Sequence, residues 1–168
     1  MDKEKLFSLL LLREITSEQF IKQYSEGHKI DDGYCLNLLT EAFQEKNADK
    51  VDEAIIVGST LNCFSKKFSD IFCKLLSEDW HYNHEDIAFI LQSLEDDSTV
   101  ECLFNAAQLH FAYLDYDDTY QLARKCIKAL SAINNVEAIN KLHSLSENVI
   151  PEIRQYAMKE LKHKDLLN

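Results

Sequence analysis

The sequence predicts an all-α fold, a right-handed α-solenoid of about five helical hairpins, on three observations. The 168 residues include only 3 Gly and 1 Pro, which leaves little turn chemistry for sheets and favours long helices. Apolar residues recur at helical spacing almost throughout, and no run alternates with period two between turn residues. A helical pattern also repeats. Leu122, Cys126 and Leu130 line up with Ile153, Ala157 and Leu161 at an offset of 31 residues, large–small–large in both. The small middle residue lets helices approach closely, as stacked hairpins require.

The elements follow in order. Leu6–Leu12 makes an apolar first helix near 3–13. Thr16 with Gln19 has capping-box spacing and opens a helix near 17–25. Gly27 and Asp31-Asp32-Gly33 mark a break before helices near 32–46 and 49–64. Phe68, Ile71, Phe72, Leu75 and Leu76 form the stripe of a helix near 67–79, followed by one near 84–94. Val100, Leu103, Phe104, Ala107, Phe111 and Leu114 continue one stripe, which predicts a long helix over 98–113 started by Ser98 and Glu101. Asp118 with Gln121 predicts the start of 118–132, Asn134 with Glu137 that of 135–146, and Pro151 suits the first turn of 150–162. Residues 1–168 read as a single α-helical domain, with 1–64 as atypical N-terminal hairpins and 67–162 as the repeats.

Charge is concentrated in one stretch. The chain carries 18 Lys+Arg against 29 Asp+Glu, a formal net charge of −11. From Leu75 to Ala123 there is no Lys or Arg but 11 acids, so the rest of the chain is neutral. The same window holds 8 of the 17 aromatics, which places rings among the carboxylates. Such acidity excludes nucleic acid as a partner, because phosphate contacts need a basic surface. No stretch reaches transmembrane length, so no membrane partner is expected. The N-terminal Met1–Lys5 and Leu6–Leu12 only loosely resemble a targeting segment, since acids interrupt them and no small-residue cleavage site follows; a buried first helix is expected instead. Cys35, Cys63, Cys73, Cys102 and Cys126 are odd in number, lack a C-x-x-C spacing and fall in apolar helical patterns. Reduced, buried thiols in a cytoplasmic protein are the expectation.

Residues 116–162, with Leu122-Ala123-Arg124, Ala129-Leu130, Val136-Glu137-Ala138 and Ile153-Arg154, resemble HEAT repeats of the bacterial phycobilisome-lyase-like type; 84–115 do so loosely. Size, acidity and the segment Asp79-Trp80-His81 with His84-Glu85-Asp86 are similar to small HEAT-like immunity proteins that accompany bacterial secreted toxins. That resemblance implies a cytoplasmic, non-enzymatic protein that binds and blocks one cognate toxin, with no cofactor.

If 67–79 pairs with 84–94 and 98–113 with 118–132, the turns 79–83 and 113–117 share one edge of the array, and Glu95, Asp96 and Asp97 lie on the other. The expected partner-binding residues are Glu78, Asp79, Trp80, Tyr82, Asp115, Tyr116, Asp117 and Asp118, facing a basic toxin domain. Two other readings of the window are a plain solvated face and a generic HEAT adaptor that binds a protein or peptide on its concave face. Catalysis and metal binding are not expected. His81, His84 and Glu85 match no zinc motif, and one His-Glu pair cannot build the two-iron site of HEAT-repeat hydroxylases. Asp115-x-Asp117-Asp118 lacks the Gly and Glu of an EF-hand, with Tyr120 and Cys126 in their places. His110 is read as a helix-face histidine of 98–113.

Overall fold

A computed structural model describes residues 2–166, which are all-helical, with no strand among them. The helices are α1 (Lys3–Leu11), α2 (Ser17–Ser25), α3 (Asp32–Glu45), α4 (Ala48–Leu61), α5 (Ser69–Leu76), α6 (His84–Leu94), α7 (Val100–Ala106), α8 (Gln121–Ile133), α9 (Val136–Leu145) and α10 (Pro151–His163). Short 3-10 turns at Lys66–Phe68 and Asp97–Thr99 lead into α5 and α7, and a third spans Ala112–Leu114.

With so little glycine, the helices stop on other residues. Glu26, Lys46, Asn62, Glu95 and Asn134 end α2, α3, α4, α6 and α8 in the left-handed region, with φ between 45° and 56°. Asn takes this conformation readily, whereas Lys and Glu accept it at some cost. The chain divides into two compact units between Phe64 and Ser65. In the first, α1 packs on α2, α2 on α4 and α3 on α4. Its core holds Leu6, Phe20, Leu39, Val51 and Ala54. The first helix is less buried than expected. Only Leu6 is enclosed, and Leu11 and Leu12 are each 69% exposed where the helix runs out.

In the second unit, α5 packs on α6, α7 on α8 and α9 on α10. Across these pairs α5 meets α7, α7 meets α9, α6 meets α8 and α8 meets α10. Every position of the sequence repeat is buried: Leu122, Cys126 and Leu130 on α8, and Ile153, Ala157 and Leu161 on α10. Burial also pushes the Cys126 thiol up to about 12, so it stays a neutral core residue.

Three expectations need correction. The helix predicted over 98–113 ends at Ala106, and residues 107–120 form a long connection containing only a 3-10 turn. Phe111 reaches the core on extended backbone (φ −120°, ψ 127°), so its burial comes from a tertiary contact rather than from helical register. The starts expected at Ser98, Asp118 and Asn134 also move. Asn135 caps α9 by accepting the Ala138 amide, and Asp96 caps the 3-10 turn before α7 by accepting the Ser98 amide. Helix α8 starts after Tyr120 without a side-chain cap from that residue, its first amide, Gln121, being accepted by Asp117. Finally, two of the five cysteines are not thiols, since Cys73 of α5 and Cys102 of α7 are joined as a disulfide. Cys35, Cys63 and Cys126 are free.

Candidate functional site

The connection between α5 and α6, residues 77–83, is built around two histidines. His81 donates from Nε2 to the Leu75 carbonyl at 2.8 Å, and its Nδ1 accepts the Asn83 amide at 3.1 Å. His84, the first residue of α6, donates from Nε2 to the Glu78 carbonyl at 2.6 Å, and its Nδ1 accepts the Tyr113 hydroxyl at 2.8 Å. Carbonyl partners fix the proton on Nε2 of both rings and leave Nδ1 as an acceptor, which defines neutral imidazoles. Both side chains are fully buried. Burial, reinforced by the neighbouring His81, pulls His84 down to about 4. Its place at a helix N-terminus also disfavours a positive charge.

These rings belong to an aromatic column. Trp80 stands edge-on to His81 at 5.2 Å, His81 stacks on His84 at 4.3 Å, and Phe111 lies over His84 at 3.8 Å. Tyr82 packs edge-on to Tyr113 at 5.2 Å. Burial pushes the Tyr113 hydroxyl up to about 12, so it remains a proton donor to His84. The column joins the 78–84 segment to the 111–113 segment, which are distant in sequence. His81 and His84 therefore serve as structural rivets. Among the described residues no three His, Cys, Asp or Glu side chains are grouped to hold a metal.

The sequence-predicted partner residues fall on the two segments that the column joins. Glu78 is half-buried and accepts the Trp80 indole N–H at 2.7 Å, and the Trp80 ring is itself half-buried. Asp79 is exposed and makes no hydrogen bond or ion pair among the described residues; Tyr82 is 65% exposed. On the other segment Tyr116 is 81% exposed. Asp115 pairs with His110 at 2.6 Å, so His110 is an exposed loop residue and not the helix-face residue expected. Asp117 accepts the Gln121 amide at 2.8 Å and both the amide and the hydroxyl of Thr119, and these donors hold its carboxyl below the usual range. It is committed to starting α8. Asp118 is exposed and, like Asp79, without a partner among the described residues.

Asp115, Asp117 and Asp118 also border a cavity of about 280 Å³ between the 107–118 connection, α8 and the start of α10. Its walls are Phe111, Leu114, Leu122, Ala123, Ile150 and Ile153, and no Lys or Arg among the described residues lines it. Tyr120, at its rim, is held in the left-handed region at φ 52° directly before α8, a strained conformation for an aromatic residue. Sequence reasoning missed this cavity, because its walls come from segments that meet only in three dimensions.

No family model, curated protein or solved structure matches the chain.

Two acids of the base-free window are paired with lysines from outside it, Glu85 with Lys125 at 2.8 Å and Glu101 with Lys141 at 2.6 Å, while Lys66 donates to the backbone carbonyl of Glu95 at 3.1 Å. Of the window's exposed carboxylates that make no hydrogen bond or ion pair among the described residues, Asp79 and Asp118 lie on the aromatic-rich segments, and Asp86, Glu95 and Asp97 lie outside them.

Proposed function

We propose that this chain is a non-enzymatic protein-binding module of the immunity-protein kind, which binds and neutralises a basic toxin domain through residues 78–82 and 115–118. The observation that carries this reading is the pairing of exposed Tyr82 and Tyr116 with partnerless carboxylates at Asp79 and Asp118, on segments clamped together by buried rings. Exposed aromatics on a rigid support act as binding hot spots, and an uncompensated negative field speeds and selects a positively charged partner. Around that face we read residues 65–166 as a HEAT-like α-solenoid. The buried repeat positions and the packing of α5, α7 and α9 in one row and α6, α8 and α10 in another support that reading. A catalytic role is not proposed, because both imidazoles are consumed by structural hydrogen bonds.

The compartment this role requires is the cytoplasm, and no helix among the described residues is long and apolar enough to cross a membrane. The Cys73–Cys102 bond pulls the other way, since disulfides persist mainly in oxidising compartments.

The test is co-expression with the product of the adjacent gene. The reading expects an equimolar complex with a basic domain, restored growth where that domain is toxic, and association that slows as salt rises. Charge reversal at Asp79, Asp115 and Asp118 should lower the association rate about tenfold while the dissociation rate changes little. Asp117 is left intact because α8 depends on it. Absence of a complex, or a complex indifferent to salt and to these substitutions, overturns the proposal.

A further inference from the structure

The cavity beside Asp115 and Asp118 refines this binding face, and the inference drawn from it rests on the reading above. Its walls are apolar on three sides: Phe111 and Leu114 from the connection, Leu122 from α8, and Ile153 from α10. Two of the lining residues, Ala107 and Ala123, are small. At about 280 Å³ the cavity falls just below the range of about 300–1,000 Å³ in which metabolite and cofactor sites lie. That volume suits one large side chain. The rim is anionic: Asp118 is exposed and partnerless, Asp115 has only the exposed His110, and no Lys or Arg among the described residues lines the site. Arg124, the nearest base in sequence, does not line the cavity; it donates to Gln121, which does, and lies over the Tyr156 ring.

Depth and rim therefore ask for different chemistry. An Arg or Lys pushed in tip-first would carry its charge away from the carboxylates and into apolar walls, where a buried charge is costly. An apolar side chain inserted to the floor, with bases beside it in the same segment, satisfies both parts. We infer that the cavity receives a Leu- or Phe-sized side chain of the partner, flanked by Arg or Lys that engage Asp115 and Asp118 at the rim. This is the anchor-in-pocket arrangement that concentrates binding energy at the centre of a protein interface.

Capped tripeptides separate the two requirements. Titrations of the full chain, followed by amide NMR shifts, compare acetyl-Arg-Leu-Arg-amide with its Arg-Ala-Arg and Glu-Leu-Glu counterparts. The expected result is saturable shifts at Leu109–Ala123 and Ile150–Ile153 with Arg-Leu-Arg at millimolar peptide. Binding of Arg-Ala-Arg should be weaker by about tenfold or more, from the lost burial of a leucine. If Arg-Ala-Arg binds equally well, the cavity is not an anchor site and this inference fails, while the acidic-face reading stands. If Glu-Leu-Glu binds equally well, the cavity is a general apolar site and the charge argument fails with it. Shifts confined to other residues, or no shift with any of the peptides, also overturn the inference.

Discussion

Two acid-bearing connections of the C-terminal unit look alike in sequence and differ in use. At 95–97, between α6 and α7, Asp96 accepts the Ser98 amide and the Ser69 hydroxyl, the latter at 2.7 Å, and these donors hold its carboxyl below the usual range. Lys66 comes in from the start of α5 to the Glu95 carbonyl, and Cys73–Cys102 ties α5 to α7 behind it. At 115–118, before α8, Asp117 likewise accepts a backbone amide at a helix start, that of Gln121, but no lysine approaches it among the described residues and a cavity opens alongside. The first turn spends Asp96 on local structure and leaves Glu95 and Asp97 exposed beside an incoming base. The second spends Asp117 and leaves Asp115, paired with His110, and Asp118 exposed beside a cavity that no lysine among the described residues lines. An acid count therefore does not mark a binding face; what the rest of the fold brings to each acid decides its use.

The largest expected difference between the two regions is in their response to pH. The 111–118 segment is fastened through His84, whose folded pKa of about 4 lies below its ordinary 6.5. Above 6.5 both the folded and the unfolded chain hold a neutral imidazole, and the contribution is complete. Between 6.5 and 4 the unfolded chain takes up a proton that the folded chain refuses, so stability falls as pH falls, and the loss levels off below 4. The shift corresponds to a loss on the order of 3 kcal/mol. Urea unfolding at a series of pH values should show this slope, and His84→Gln, which can keep both hydrogen bonds without titrating, should remove it. Parallel slopes in the two proteins would mean that other groups carry the acid response.

A smaller effect separates these two aspartates. Asp96→Ala removes a cap and orphans the Ser69 hydroxyl, which is buried with its residue, so about 2 kcal/mol should be lost. Asp117→Ala removes an amide acceptor whose other donors reach solvent, and about 1 kcal/mol is expected. Denaturant midpoints compared at constant m-value measure both. Equal losses would erase the contrast drawn between a braced and an open turn.

Much of this architecture was legible in the sequence, and the failures have physical causes. Nine of the ten helices among the described residues lie within a few residues of the spans periodicity predicts, α7 is much shorter than predicted, and the repeat positions are in the core. The error at 98–113 arose because Phe111 falls on the same helical stripe as Val100 and Leu103, and no Gly or Pro interrupts the pattern; α7 ends at Ala106, and Phe111 packs on His84 from the connection that follows. The cap shifts occur at adjacent polar runs, Asp96-Asp97-Ser98 and Asn134-Asn135, in which each member has suitable chemistry, while at Asp117-Asp118 the chain runs on to Tyr120 before α8 starts. In the Asn134-Asn135 pair Asn134 is taken up by ending α8 in the left-handed region, and the cap passes to Asn135. Of the site, the window and its exposed residues were readable from charge and aromatic content. The His81–His84–Phe111 column was not, because nothing local to 81–84 announces a partner some 29 residues away. The Cys73–Cys102 bond was hidden for the same reason.

The smallest expected effect on stability is the most informative about binding. Asp97 and Asp118 are both exposed and make no hydrogen bond or ion pair among the described residues, one in each turn. Neutralising either to Asn should change stability by less than about 0.5 kcal/mol, as for surface positions without a structural role. Their effects on binding should diverge. Asp118→Asn removes a rim carboxylate beside the cavity and should weaken acetyl-Arg-Leu-Arg-amide by about threefold, a loss typical of one exposed ion pair. Asp97→Asn removes the same charge at the turn served by Lys66 and should leave that affinity unchanged. Equal weakening by both would reduce the face to the overall negative field of the protein, because long-range attraction does not distinguish one surface carboxylate from another as sharply as contact does. A loss confined to Asp118 would tie recognition to the place where open carboxylates, exposed tyrosines and an apolar cavity meet.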